Sequence, residues 1–313
     1  MEDYPRTLMD FEARFASEEA CREYLIRLRW PGGFVCPRCG SRKGWPTQRL
    51  LVVCAACGRQ ASATAGTIFQ DSRKPLTLWF RAIWCVTGPK TGASATTLQR
   101  ALGIGSYKTA WTWLHKIRRA MVRPGRERLR GEVEVDETFI GAPEEGRHGR
   151  RMIRKTMVAV AAEKDGRGIG RIRMRRVSDG SAQSLHPFIR DSIEPGSLLV
   201  TDDWQGYASL DGYRRRIKPI APSGRTASEV MPRVHRVVSL LKRWLMGTHQ
   251  GAVSHEHLDD YLDEFTFRFN RRASESRGKL FYRLLQNAVA VPPAPYKSLA
   301  KHVRGRAAKN HKG

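Results

Sequence analysis

The chain has 313 residues, 41% of them hydrophobic, enough for two or three domains with at least one sizeable core. Its 56 Lys and Arg against 30 Asp and Glu leave a net charge of +26. A solvated charged face does not explain so large an excess, and counterion release makes nucleic acid the polyanion it attracts. No apolar run approaches the ~18 residues of a bilayer span, no long basic amphipathic helix or lipidation signal is present, and residues 1–15 lack a secretory core. The expected address is cytoplasmic, with no membrane partner.

In chain order, residues 1–30 place Phe11, Phe15, Cys21, Tyr24, Leu25 and Leu28 at roughly helical spacing, up to a break at Trp30 and Pro31. A Gly-rich stretch, 33–67, follows, with a short β-like run at 49–53. Within it, Cys36 and Cys39 form one C-x-x-C, each pair closed by a glycine (Gly40, Gly58), and Cys54 and Cys57 form the other. Two such knuckles predict a closed Cys₄ tetrahedron around structural Zn²⁺, with no open position for catalysis. A thioredoxin-like redox site would show one motif in a βαβ context. Lone Cys21 and Cys85 read as buried small hydrophobes.

Residues 75–122 return to helical patterning. The run 94–102 reads as a short amphipathic helix, Gly103 to Gly105 as a turn, and Ser106 as the N-cap of a second helix over 107–121. Ala110, Trp111, Leu114, Ile117 and Met121 are its expected apolar face, with Lys108, Thr112, Lys116, Arg118 and Arg119 elsewhere. The pattern fits a helix-turn-helix DNA-binding segment; an ordinary helical hairpin with a solvated basic face is the alternative.

After a charged linker, 123–131, the pattern becomes strands over 133–140, 157–162, 169–177 and 197–202, with a helix over 181–193 before the last. In the first strand Val133 and Val135 share one face and Glu134 and Asp136 the other. The last strand ends in Asp202 and Asp203. Two strand-end carboxylates can hold one or two Mg²⁺ or Mn²⁺ ions for in-line attack on phosphate, although aspartate also ends strands simply as a turn residue. Residues 232–272 are helical again, and the tail beyond Pro292 is Pro-rich, then basic, and reads as disordered.

Several stretches, 36–40, 65–69, 102–111, 133–138 and 201–202, together with the dense run 239–245, 247–249, 261–265 and 268–272, occur in an order that resembles a known family. These are the DDE-type insertion-sequence transposases with an N-terminal zinc ribbon, the group of insertion sequence fifteen-ninety-five. The resemblance implies an α/β fold in which a ribonuclease-H-like mixed-sheet catalytic core follows the Cys₄ ribbon and the helical segment. The implied division is 1–70 for the N-terminal helix and ribbon, 71–125 for the helix-turn-helix-like segment, 131–290 for the catalytic domain and 291–313 for the tail.

The resemblance also implies roles. Asp136 matches the first catalytic acid and Asp202 the second, with Mg²⁺ or Mn²⁺ as catalytic metal. The wider class has a glutamate seven residues before a lysine; here the lysine is Lys242 and the residue seven before it is His235. Three readings follow: His235 is the third ligand, nearby Glu229 replaces it, or the copy is inactive. Hard Mg²⁺ prefers oxygen, whereas Mn²⁺ tolerates the imidazole nitrogen better. Seven residues is almost two helical turns, so His235 and Lys242 share a face and Lys242 can reach the scissile phosphate. The implied protein binds double-stranded DNA, at element ends and target, in the cytoplasm at the nucleoid. It cleaves and joins that DNA as a homodimer or larger assembly. The rival is a zinc-ribbon DNA-binding regulator with a decayed catalytic core.

Overall fold

The structure is a computed structural model that describes residues 2–48, 51–123, 125–141, 155–220, 224–251 and 253–299. The expected strand residues 49 and 50, and residues 300–313 of the tail expected over 291–313, lie outside the described residues; residues 291–299 are not a free tail, since Ala294 and Leu299 are buried and 296–299 are helical. Two compact units emerge: residues 1–123 with 273–313, and residues 124–272. Among the described residues no helix is long and apolar enough to cross a membrane.

In the first unit the N-terminal helical stretch is two helices, α1 (Leu8–Arg14) and α2 (Glu18–Arg29). Thr7 and Asp10 form a reciprocal capping box on α1, and Ser17 caps α2 through the Ala20 amide; the second cap is what splits the stretch. Phe11, Phe15 and Tyr24 interlock with Phe80 and Trp84 of α3 (Leu76–Thr87) and with Phe281 of α10 (Arg277–Ala288). Gly278 has no room for a side chain, because a Cβ there would strike the Pro5 carbonyl. α10, which lies within the expected catalytic segment 131–290 although no helix is expected beyond residue 272, packs in the N-terminal unit, where its aromatic face completes that unit's core.

The two helices expected over 94–121 form as α4 (Ala95–Leu102) and α5 (Tyr107–Arg119), joined through Gly103 in the left-handed region at φ 60°. Ser94 caps α4 through the Thr97 amide, whereas Ser106 sits at the N-cap of α5 without a side-chain bond. The expected apolar face needs correction. Thr112, Trp113, His115 and Arg118 are buried, and Trp111 only partly. The helix is covered on more than one side: Trp113 stacks on Trp79 of α3 at 3.9 Å, and the Thr112 hydroxyl turns inward to donate to the Lys108 carbonyl. Of the expected basic set, Lys108 and Arg119 are exposed and Arg118 is not.

The second unit is a five-stranded mixed sheet. A meander of β4 (Glu132–Ile140), β5 (Thr156–Asp165) and β6 (Gly168–Val177) is antiparallel. The chain then crosses over through α6 (Ala182–Ser192) to β7 (Leu198–Thr201), parallel to β4, and on to edge strand β8 (Arg214–Ile217), parallel to β7. The order β6-β5-β4-β7-β8 is that of a ribonuclease-H-like core. Helices cover both faces, which is why β5 reads as the unbroken apolar run 157–162. Leu185, Phe188 and Ile189 of α6 pack on Val133, Val135 and Leu199. On the other face, α8 (Pro232–His249) and α9 (Leu258–Phe269) bring Val234, Leu241, Leu262 and Phe265 onto Val158, Val160 and Ile172.

Candidate functional site

The ribbon is a three-stranded antiparallel sheet of β1 (Gly44–Pro46), β2 (Val52–Cys54) and β3 (Gln60–Ala61). Its two knuckles are built alike. Gly40 donates to the Cys36 carbonyl and Gly58 to the Cys54 carbonyl, both at 3.0 Å, and both glycines are left-handed, at φ 73° and 67°. That turn sets the cysteines of each pair side by side. Cys36 and Cys57 sulfurs lie 3.7 Å apart, Cys39 and Cys54 sulfurs 3.6 Å, and all four fall within 4.8 Å of one another. A tetrahedron with Zn–S bonds of ~2.3 Å has sulfur–sulfur edges of about 3.8 Å, so the cluster fits zinc.

In the second unit the parallel ladder sets Glu132, Val133 and Glu134 of β4 beside Leu198, Leu199 and Val200 of β7. Asp136 lies two residues further along β4 and Asp202 directly follows the last residue of β7, near the carboxyl end of the paired stretch, where open α/β sheets hold their ligands. As the alternation requires, Val133 and Val135 face α6 and Glu134 faces α8. The Asp136 side chain is 13% exposed and accepts from the Glu137 amide at 2.9 Å. Asp202 accepts from the Trp204 amide at 3.2 Å, so it also turns the chain out of β7.

Glu134 is the residue that sequence reasoning missed. Its carboxylate, 1% exposed, accepts from the Arg233 and Val234 amides at 2.8 and 3.0 Å and from the Arg233 guanidinium at 3.0 Å. The N-cap of α8 is Met231, which offers no side-chain acceptor, so Glu134 caps the helix from the sheet. One residue past this clamp, His235 Nε2 lies 3.3 Å from Asp136 Oδ2. This nitrogen is shielded from solvent and has no aligned hydrogen-bond partner. Burial holds the imidazole below its ordinary pKa, helped by Lys242 and opposed by Glu134, so a lone pair is present at neutral pH.

The three expected ligands therefore converge unequally. Asp136 and His235 lie 3.3 Å apart, and Asp202 follows the end of the neighbouring strand β7. Among the described residues their donor atoms do not form a cluster as close as the cysteine one. A solvent-shielded imidazole nitrogen 3.3 Å from one carboxylate is a donor pair that suits a divalent cation taking oxygen and tolerating nitrogen. Glu229 is committed elsewhere: it caps α7 (Ala227–Val230), accepting from the Thr226 amide at 2.7 Å, and this bond lowers its pKa.

The strap after β7 is fixed by its own contacts. Trp204 donates to the Gly180 carbonyl at 2.6 Å, and Tyr207 donates to Glu137 at 2.6 Å. Gly206 lies so close to the Gly180 carbonyl that no Cβ fits. Arg215 of β8 donates to the carbonyls of Asp202 and Trp204 at 2.8 and 3.1 Å. Lys242 lies two turns beyond His235 on α8, its ammonium pKa lowered by its partly buried setting and by Lys155.

Residues 128–270 match the ISXO2-like transposase domain, and residues 16–60 match the transposase zinc-ribbon domain. An uncharacterized protein in transposable element ISH50 of Halobacterium salinarum is 26% identical, the match covering 81% of this chain and 91% of that protein. A solved structure, that of the Mos1 strand transfer complex, aligns at 13% identity over 71% of this chain and 78% of its own, with a TM-score of 0.28.

Proposed function

This chain belongs to the ISXO2-like transposases with an N-terminal zinc ribbon, and from that premise we propose that it binds the ends of its mobile element in double-stranded DNA, cleaves them and joins them to target DNA. The observation that carries the reading is the parallel pairing of β4 with β7, which leads toward Asp136 and Asp202, together with the clamp beside which His235 meets Asp136. Asp136, Asp202 and His235 would hold Mg²⁺ or Mn²⁺. Such a cation supplies positive charge to the oxygens of a phosphoryl group in transfer.

The chain's own residues do the rest by position and charge. Lys242, on the His235 face of α8, would grip the scissile phosphate, and Arg214 and Arg216 of edge strand β8 the flanking backbone. In the first reaction a water oxygen bonds to phosphorus and the bond to the 3′ oxygen breaks, leaving a 3′-hydroxyl. In the second that hydroxyl oxygen bonds to a target phosphorus and displaces the target's own 3′ oxygen. Neither reaction needs a covalent protein intermediate. Lys108 and Arg119 of the helix-turn-helix pair would hold element DNA. A mobile element has two ends, so a homodimer or larger assembly is proposed, acting at the nucleoid in the cytoplasm.

The test incubates purified protein with end-labelled element DNA and target plasmid in Mg²⁺ or Mn²⁺. Nicked ends and covalently joined products are expected. Binding without either product would instead support the regulator with a decayed core.

A further inference from the structure

Lys218 follows the last residue of β8, and metal binding by Asp136, Asp202 and His235 makes no use of it. Its amide donates to the Thr201 carbonyl at 2.8 Å, which fastens its backbone to the residue that precedes Asp202. Its ammonium donates to the Val230 carbonyl at 3.0 Å, where α7 meets Met231, the N-cap of α8. One residue thus joins the strand end that leads into Asp202 to the helix start that carries His235. We propose that the Lys218 ammonium binds one backbone phosphate of the DNA, next to the phosphate in transfer, and so seats the substrate on both elements at once. This deepens the transposase reading and rests on it.

The chemistry of the contact asks for an anion. Val230 ends a four-residue helix, and the last carbonyls of a helix lack partners within it. A neutral donor would suffice to cap that carbonyl. Lysine brings a full charge and three N–H donors, of which this bond uses one. The side chain is half-buried, so its charge is partly stripped of water while its acceptor is uncharged. Arg216, by contrast, already meets a carboxylate, Glu132, at 3.6 Å. The tether to Val230 also holds a flexible side chain in place, so a phosphate gains the charge at less cost in rotamer freedom. Access is open: β8 is an edge strand, and its Arg214, Arg216 and Ile217 are exposed.

The test measures binding of full-length wild type, Lys218→Gln and Lys218→Arg to fluorescent element-end DNA over a tenfold range of salt. Glutamine keeps a donor for Val230 and removes the charge, whereas arginine keeps both. Each phosphate neutralised adds about 0.9 to the steepness of log affinity against log salt, so Lys218→Gln should flatten that slope by about 0.9. The wild-type advantage then shrinks about eightfold across the range, and Lys218→Arg should restore the wild-type slope. A residue that only capped α7 would move the melting curve and leave the slope alone.

A scan that replaces one phosphate at a time by a neutral methylphosphonate locates the contact. Wild type should lose affinity at a phosphate flanking the scissile one, and Lys218→Gln should not respond there. A wild-type slope in Lys218→Gln, a slope that arginine does not restore, or a wild-type scan with no response beside the scissile phosphate would each overturn the proposal; the last needs no folded variant. Joining, read on the same preparations, separates the two readings. A flattened slope in Lys218→Gln without joining by wild type supports the phosphate contact and refutes strand transfer. Joining by wild type with an unchanged slope in Lys218→Gln refutes the contact alone.

Discussion

Glu134→Gln tests the clamp that holds the start of α8, and with it His235, against β4. The wild-type carboxylate, 1% exposed, receives two α8 amides and the Arg233 guanidinium, all within 3.0 Å. Glutamine keeps the volume, but its charge is gone and one of its two terminal groups is a donor facing other donors. A hydrogen bond to a charged group contributes ~1.5–3 kcal/mol, and breaking a buried ion pair costs ~3–5 kcal/mol. Arg233 retains 17% side-chain exposure and a bond to the Gly168 carbonyl, which softens the loss. The expected destabilisation of the second unit is therefore about 2–4 kcal/mol. Urea unfolding followed by circular dichroism measures it, and hydrogen exchange at residues 233–236 localises it: those amides should exchange faster while the β5 amides stay protected. A change below about 0.5 kcal/mol, with exchange at 233–236 unaltered, would refute the clamp.

Three further predictions follow from the same geometry. Wild-type protein should contain one zinc per chain by elemental analysis, and Cys36→Ser none, because a Cys₄ site missing one thiolate no longer closes. His235→Ala should lower joining at least about tenfold, and His235→Glu should recover it better in Mg²⁺ than in Mn²⁺, since an oxygen ligand replaces a nitrogen; wild-type activity in His235→Ala would remove this residue from the ligand set. Burial, opposed by Arg126 and reinforced by Asp260 and Asp259, pushes the Asp263 carboxyl up to about 7. The folded chain then binds more protons than the unfolded one between about pH 4 and 7, so this group makes stability fall as pH rises through that window. Asp263→Asn should stabilise the protein at pH 8 by up to about 4 kcal/mol and have little effect at pH 4, read from urea midpoints.

Features set by local spacing were legible in the sequence. The knuckles show as C-x-x-C-Gly because the metal fixes ligand spacing and the turn demands a left-handed glycine. The sheet showed as apolar runs because helices bury both its faces. What escaped depends on neighbours distant in the chain. Nothing local in residues 277–288 says that Phe11 and Phe15 will meet Phe281 there. Arg118 and Thr112 look like solvated residues in the sequence, yet both are buried in the fold. Glu134 looks like one more acid on an alternating strand, and only the arrival of α8, 99 residues later, makes it a helix cap. One signal was available: a basic chain that spends three acids on residues 132–136 and starts a helix at Pro232 without a polar cap leaves an acceptor to be found.

The most direct test of the account is joining of labelled element ends to target DNA by wild type, Asp136→Ala and Asp202→Ala, with DNA affinity measured in parallel. Loss of a metal-holding carboxylate should lower joining at least about a hundredfold in both variants while affinity changes less than about threefold. Full joining by Asp136→Ala would contradict the account, because the strand registry would then hold nothing that the reaction needs.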